Sequence, residues 1–428
     1  MTRPDAEHPT TPTQRPGLAL ALVAASTFLS MSVWFSASFV IPQLTTAWDL
    51  SPTGSSLLTI TVQIGFVIGA LASAATGLAD AIPPRLLMCA GAFGAALANL
   101  GLLWADDLTT ALPLRLTTGI CLAAVYPPAL KEISTWFTKG RGTALGIMIG
   151  ALTLGSALPH LVSSFGPIHW HHVIIATSAM TATGAATILL LRGDDPYPFP
   201  QRPFNIRALA SLRNKHVALA NLGYMGHMWE LYAMWAWVGA YLAALPTISA
   251  LPNPATTASA LAFLCIGAGA LGCLAGGNLS DRYGRAQSAL ISLLCSGAAA
   301  LTLAVIGTGP LPVVLALCVF WGFWVIADSA QFSAIVTEHA DPVYIGGALS
   351  IQLALGYLTT TVSLWLVPVL VQNHSWATAL ATLAIGPAIG AIAMAVLTMS
   401  RTRRSRPSPT ARHRCSTVTG PLDDAGNR

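Results

Sequence analysis

Three charged side chains interrupt long apolar stretches of this 428-residue sequence: Arg115, Glu230 and Asp328. If those stretches cross a membrane, a lone charge at that depth costs about 2.5–3.5 kcal/mol on insertion scales. Such residues are rare in membranes and usually face a cavity or a solute pathway. The three residues are therefore candidates for carrying a proton or for binding the charge of a solute.

Glu230 and His227 lie three residues apart in the segment GHMWELYAMWAW, residues 226–237. In a helix that begins near His216, a rise of about 1.5 Å per residue places His227 about 16 Å and Glu230 about 21 Å along the axis. Their spacing puts both on one helix face, which we expect to line the central pathway. Desolvation favours the neutral form of a carboxylate, so a shielded Glu230 would exchange a proton near neutral pH.

Glu230 and His227 each have a structural interpretation as well. Glu230 could be exposed to water near an outer vestibule, or it could be hydrogen-bonded for packing. His227 could be neutral and pack against Tyr224 or Trp229.

Asp328 belongs to a second pattern, in which Trp324, Asp328 and Gln331 recur at i, i+4 and i+7. On one continuous helix they form a stripe, which we expect to face the central cavity; the alternative is an aspartate satisfied by Ser329 or by a neighbouring helix. Arg115 could attract an anionic solute or pair with an acid that releases it on protonation. The alternative for Arg115 is a structural pair within the first half of the protein.

Other polar or aromatic side chains in the apolar stretches are weaker candidates for solute binding, because each alone is more often a packing residue. They are Trp34, Gln63, Tyr126, Gln352 and Tyr357.

The elements that must position these residues are indicated by composition. The sequence is 54% hydrophobic and only 9% charged, whereas soluble domains carry about 25% charged residues. A membrane-spanning helix needs about 20 apolar residues, and helices and closed barrels are the backbones that satisfy their own hydrogen bonds in lipid. The sequence therefore predicts an all-α membrane protein with twelve transmembrane helices. The runs are approximately 17–42, 54–79, 84–105, 109–130, 142–165, 172–192, 216–245, 256–279, 286–308, 311–335, 345–371 and 375–399.

The basic residues follow this topology closely. Of the 21 lysines and arginines, all except Arg115 fall before the first run or after an even-numbered run. The positive-inside rule assigns that side to the cytoplasm, together with both termini. The net charge of +5 is thus explained by topology and does not indicate nucleic acid. We expect a cytoplasmic leader at 1–16, a cytoplasmic linker at 193–215 and a disordered basic cytoplasmic tail at 401–428.

The two sets of six runs match weakly but in the same order at an offset near 200 residues. RGTALGI at 141–147 aligns with IGGALSI at 345–351, Gly119 with Gly322, and Asp80 with Asp281. These matches predict two pseudo-symmetric six-helix bundles, 17–192 and 216–400, an arrangement typical of transporters.

The loop GNLSDRYGR at 277–285 resembles the signature loop of the major facilitator superfamily, and TGLADAIPPR at 76–85 is a reduced copy of it. Arg115 with Gly119, and WFTKGRGTALGI at 136–147, resemble further motifs of that family. The resemblance implies that the two loops close a cytoplasmic gate in the outward-facing state. The implied gate residues are Asp80, Arg85, Asp281, Arg282 and Arg285.

Within that family, VWFSASFVIPQL at 33–44, GHMWELYAMWAW and VIADSAQFSA at 325–334 resemble a bacterial group often labelled nitrate/nitrite transporter-like. The nitrate porters of the family use an arginine in helix two and another in helix eight. The corresponding runs contain no arginine, so nitrate itself is not implied.

The function predicted is secondary active transport of a small solute by alternating access, coupled to protons, with import of a small anion as the first reading. The alternative is proton-driven efflux of amphipathic compounds, which the many tryptophans would suit. We expect no enzyme activity, cofactor or metal site, because the seven cysteines lack metal-like spacing and HWHH at 169–172 is better read as interfacial packing. A membrane-embedded enzyme and a non-transporting sensor are the remaining classes. The expected setting is a monomer in the bacterial inner membrane, with solute, lipid and protons as partners.

Overall fold

The computed structural model describes residues 15–137, 141–166, 168–192, 206–341 and 344–404, and the regular structure within them is entirely helical. Most of the predicted leader and linker, and the predicted tail after residue 404, lie outside these ranges. The side chain of the predicted gate residue Asp80 also lies outside the description.

Six long helices lie in the first half of the chain. They are α1 (Pro16–Val33), α2 (Pro52–Thr76), α3 (Pro84–Trp104), α4 (Leu108–Trp136), α5 (Gly142–Ser163) and α6 (Trp170–Ile188). The first three begin with proline, whose fixed φ suits a first helical turn. Asp107 caps α4 by accepting from the Thr110 backbone, and the Thr110 hydroxyl holds the pKa of the Asp107 carboxyl below its usual value.

The second half repeats this arrangement. Its helices are α7 (Lys215–Ala243), α8 (Pro254–Tyr283), α9 (Arg285–Ile306), α10 (Leu311–His339), α11 (Ile345–Asn373) and α12 (Trp376–Ser400). Asn214 caps α7. Each predicted run thus overlaps at least one helix in the part of the chain that is described.

Ten of these helices are long and apolar enough to cross a membrane. The other two, α6 and α7, are 19 and 29 residues long but less apolar. The α6 helix carries two histidines and several threonines, and α7 carries His227 and Glu230. His227 and Glu230, the candidate functional residues of α7, are among the polar residues that lower its mean hydropathy.

Four of the predicted runs are interrupted well inside their limits; in the twelfth, the break is at residue 384, between Trp376–Leu383 and Ile385–Arg404. The predicted run 17–42 is not one helix: α1 ends at Val33, and the short helices Ser36–Phe39 and Ile41–Trp48 follow. The α4 helix is interrupted at 123–125 between its segments Leu108–Leu122 and Tyr126–Trp136. The α10 helix is interrupted at 325–328 between Leu311–Trp324 and Ser329–His339.

The breaks in α4 and α10 support the internal duplication, because the offset that pairs Gly119 with Gly322 also superposes them. Helices of each half pack mostly on one another, α2 on α4 and α3 on α6 in the first half, α7 on α12 and α8 on α10 in the second. Across the halves, the main contacts are α5 with α8 and α2 with α11.

Glycines let α8 approach α10 closely. A Cβ added at Gly272 would lie 1.8 Å from the Phe323 carbonyl oxygen, and one at Gly276 would lie 1.9 Å from that of Ala327. Small residues at membrane helix contacts permit this backbone approach. The contact seats the break in α10 directly on α8.

We predict that Gly272→Ala destabilises the protein, because the new methyl group meets backbone that cannot move without separating the helices. The expected cost is about 1–3 kcal/mol, as for other overpacked cores. Thermal unfolding of the detergent-purified protein measures it. Gly277→Ala is the matched control on the same helix, since a Cβ there meets nothing within 4 Å. Equal melting temperatures for the two variants would contradict the close contact.

Candidate functional site

Aromatic side chains from both halves meet at the centre of the molecule. Trp34 lies 5.0 Å from Phe66, 5.8 Å from Tyr232 and 5.7 Å from Tyr357, measured between ring centroids. The rings of Phe66 and Tyr357 are 4.4 Å apart, and the hydroxyls of Tyr232 and Tyr357 are hydrogen-bonded at 2.9 Å. We call these four residues the aromatic cluster. It joins α1 and α2 to α7 and α11, so it lies on the interface between the halves.

Unpaired polar atoms flank the aromatic cluster. Gln63 is one helical turn before Phe66, and neither amide atom of its buried side chain has a partner among the described residues. The Trp34 indole N–H is also unpaired there, as is the Gln352 amide nitrogen. A buried polar group without a partner costs about 1–3 kcal/mol. Such groups are suited to bind the polar atoms of a solute. Tyr126 is buried in the same apolar core.

His227 and Asp328 are brought together in the second half. Their Nδ1 and Oδ1 atoms lie 2.8 Å apart, and both side chains are at most 2% exposed. The distance is that of an ion pair, although the angle is too bent for a regular hydrogen bond. Phe332 and Tyr224 cover the imidazole, with ring centroids 5.6 Å and 5.9 Å away. The sequence singled out both residues but did not predict that they pair.

Glu230 is held inside the second half. Its Oε2 accepts a hydrogen bond from the Ser296 hydroxyl at 2.8 Å, and its Oε1 accepts from the Trp321 indole at 2.8 Å. The carboxylate is 1% exposed. The expectation that it lines the central pathway is therefore wrong in this structure, because the bonds direct it to α9 and α10. The shared face with His227 is confirmed, since both residues contact α10.

Arg115 is fully buried in the first half and bonds to backbone carbonyls. Its Nε donates to Leu58 O at 3.1 Å, its Nη1 to Val33 O at 3.1 Å and its Nη2 to Trp34 O at 2.7 Å. The last two carbonyls belong to the end of α1, where the helix dipole is negative. No carboxylate pairs with Arg115 among the described residues. These bonds favour the structural interpretation of Arg115, with a helix end in place of an acid.

The stripe predicted from Trp324, Asp328 and Gln331 does not form, because the break in α10 separates its members. Trp324 lines an apolar groove of about 680 Å³ between α8 and α10, together with Leu264 and Phe320. The Gln331 amide nitrogen is 3.4 Å from Gly276 O on α8.

The gate residues of the second half make contacts within that half. Arg285 at the start of α9 forms an ion pair with Glu338 near the end of α10. Arg282 lies over the Tyr283 ring at 5.3 Å, and Asp281 is exposed. Arg85 begins α3.

Sequence reasoning missed three polar residues that the structure makes important. Glu338, the partner of Arg285, was not considered. Asn99 accepts hydrogen bonds from Ser36 at 2.6 Å and from Arg115 at 3.3 Å. In the sequence it is a single asparagine in an apolar run, and nothing distinguishes it there. Glu132 is buried and accepts from the Trp136 indole at 3.1 Å. Glu132 is not among the predicted intramembrane charges, because the predicted run ends at 130 whereas α4 continues to Trp136.

The fold and the interface define a helical membrane protein of the transporter type. The sequence model of the Major Facilitator Superfamily matches residues 23–340 and 238–422, so the chain belongs to that family.

Several known proteins are similar to this chain. The MFS transporter asaE of Aspergillus flavus is 26% identical over 66% of this chain and 64% of its own length, so the match spans less than two thirds of that relative. Monocarboxylate transporter 11 of Homo sapiens is 31% identical over 30% of each chain. The Fujikurins efflux protein of Gibberella fujikuroi is 32% identical over 21% of each.

A solved structure shows the same fold. The crystal structure of a mutant of the nucleoside transporter NupG has a TM-score of 0.70 at 15% identity, covering 89% of this chain and 99% of that one. At this identity the likeness concerns the fold alone.

We predict that Arg115→Met destabilises the protein by about 3 kcal/mol or more, since it leaves several buried carbonyls unpaired. Thermal unfolding of the purified protein measures the loss. Arg282→Met is the control, because this exposed arginine should change stability by less than about 0.5 kcal/mol. If Arg115→Met keeps the wild-type melting temperature but loses transport of an anion, Arg115 binds solute instead.

Proposed function

We propose that the protein is a proton-coupled secondary transporter that moves an amphipathic organic solute by alternating access. Two six-helix bundles, comprising twelve membrane spans, would rock about the interface formed by α2 with α11 and α5 with α8. The observation that carries the solute class is the aromatic cluster, which joins both halves at the centre and has unpaired amide groups beside it.

The aromatic cluster favours a solute with an apolar or aromatic body and a few polar atoms. Aromatic rings bind such bodies by offset stacking and apolar contact, and Gln63 and Gln352 would bind the polar atoms. The name of one relative, the Fujikurins efflux protein, is compatible with an organic solute and with export. On that ground we propose efflux as the direction.

Import of a small anion is less well supported. It was based on Arg115 as the group that attracts the anion. The Arg115 guanidinium is buried and engaged with the end of α1, which leaves it no free donor pair aimed at the interface.

Proton coupling is assigned to His227 and Asp328. The pair is fully buried, and it touches Phe332 and Tyr224, which pack toward the interface. A carboxylate can carry a proton across a dry barrier only if it is shielded and able to change partners. Glu230 is the second candidate, but its two donors hold it in place.

The remaining expectations stay proposals. They are a location in the cytoplasmic membrane, both termini in the cytoplasm, a monomeric state and membership of the nitrate/nitrite transporter-like group. A bacterial source is part of that expectation, whereas the curated relatives named above come from fungi and human.

We predict that Asp328→Asn abolishes proton-driven accumulation of solute in proteoliposomes while solute exchange at equilibrium continues, because the asparagine cannot take up a proton. Glu230→Gln should keep most of the uphill transport, since its amide oxygen still accepts from the Trp321 indole and its amide nitrogen can donate to the Ser296 hydroxyl oxygen. The opposite pattern would move proton coupling to Glu230.

We predict that Trp34→Leu weakens binding of an aromatic solute by about 1–2 kcal/mol, or roughly tenfold, through the loss of ring contacts. Binding of a radiolabelled amphipathic cation is measured by a scintillation proximity assay, which does not depend on tryptophan fluorescence. The melting temperature of the variant should equal that of the wild type. The control is Trp104→Leu, because the Trp104 side chain is 75% exposed and is not a member of the aromatic cluster. Equal affinities for both variants would remove Trp34 from the site.

A further inference from the structure

The α7 helix holds α10 on both sides of its break. We call Leu311–Trp324 the first segment of α10 and Ser329–His339 the second segment. Glu230 accepts from Trp321, in the last turn of the first segment, at 2.8 Å. His227, one turn earlier on α7, meets Asp328, which immediately precedes the second segment, at 2.8 Å.

The two contacts differ in what a proton does to them. The Glu230 carboxyl has two partners, Ser296 and Trp321, and it keeps both if it takes up a proton, because one oxygen still accepts from the indole and the O–H can donate to the Ser296 hydroxyl. The His227–Asp328 contact joins two titratable groups, and uptake of a proton by Asp328 removes the charge that attracts His227. The contact is therefore present while Asp328 is ionised, and it is lost when a fall in pH protonates Asp328. Glu230 of α7 and Cys273 of α8 are further titratable groups within electrostatic range of Asp328.

The second segment is connected to the parts of the protein that should move. Ser333 donates to Gln352 of α11 at 3.0 Å, beside the aromatic cluster. Glu338 pairs with Arg285 at the start of α9. The carbonyl of His339 accepts from Asn214, the cap of α7, at 2.8 Å.

The seat of the break permits movement. The Ala327 carbonyl rests on Gly276 of α8, which has no side chain to interlock with the break. One long hydrogen bond at 3.4 Å, from the Gln331 amide to the Gly276 carbonyl, joins the second segment to the same glycine. Small residues of this kind let helix backbones approach closely, so little steric interlocking opposes a turn of the second segment.

We propose that the second segment of α10 is a hinged lever, that Glu230 and Trp321 fix the first segment, and that the His227–Asp328 contact is the latch of the second. Protonation of Asp328 opens the latch, and the second segment then displaces Gln352 and the Arg285–Glu338 ion pair together. The role of this lever in transport depends on the proton coupling proposed above, whereas the lever itself does not.

Hydrogen–deuterium exchange of the full-length protein in lipid nanodiscs, without solute, tests the lever. Asp328→Asn keeps the shape of the side chain and removes its charge, so amides of 329–339 should exchange roughly tenfold faster. Amides of 311–324 should stay within about twofold of the wild type. Trp321→Phe should give the reverse pattern, with faster exchange in 311–324.

Two further measurements complete the test. In the wild type, exchange of 329–339, corrected for the chemical rate, should accelerate on acidification, and this response should be absent in Asp328→Asn. The wild-type measurement needs no variant to fold. Tyr232→Phe is the control, because it removes a buried hydrogen bond between α7 and α11 and leaves His227 and Asp328 in place.

The lever is refuted if acidification leaves 329–339 unchanged in the wild type, or if both segments respond equally to Asp328→Asn. A lever that opens in a variant still capable of uphill transport would support this inference and refute the proposed proton coupling. A rigid second segment in a variant that has lost uphill transport would refute the lever and leave the coupling proposal standing.

Discussion

Backbone carbonyls at a helix break must find donors inside the protein when the surroundings are apolar, and Arg115 meets this requirement for α1. Its guanidinium binds the carbonyls of Val33 and Trp34, where α1 ends. The same group touches Asn99, whose amide nitrogen donates to Ser178 of α6 at 2.9 Å. One side chain on α4 thereby ties together α1, α3 and, through Asn99, α6. The position of Trp34 at the interface depends on this anchor.

The second half contains an anchor of opposite charge, which binds side-chain donors instead of backbone carbonyls. There an acid on α7, Glu230, binds α9 and α10, the counterparts of α3 and α4. Both anchors hold one half of the molecule together as a unit, and neither crosses the interface. A transporter that rocks needs rigid halves and a weakly bonded interface, and the charges are distributed in that way. The interface itself is made of rings, glycines and amides.

The fold was largely accessible from sequence because its causes are local. The length of each apolar run predicts a helix, and the positions of the arginines and lysines predict on which side of the membrane each loop lies. The breaks in α1 and α10 were not accessible in this way. The stripe of Trp324, Asp328 and Gln331 has sound helical spacing, yet the helix is interrupted between its first two members. Periodicity assumes a continuous helix, and a break supported by tertiary contacts leaves no local signal.

The sequence by itself determined that this is a helical membrane protein, and it identified which intramembrane charges are unusual. Both follow from the cost of placing polar groups in an apolar medium, which acts on every residue regardless of its neighbours. Only the tertiary structure decided what each charge does. Arg115 binds a helix end, Glu230 is bonded to Ser296 and Trp321, and His227 meets Asp328 across two helices far apart in the chain. Pairing is a property of distances between helices, and a single sequence contains no measure of them.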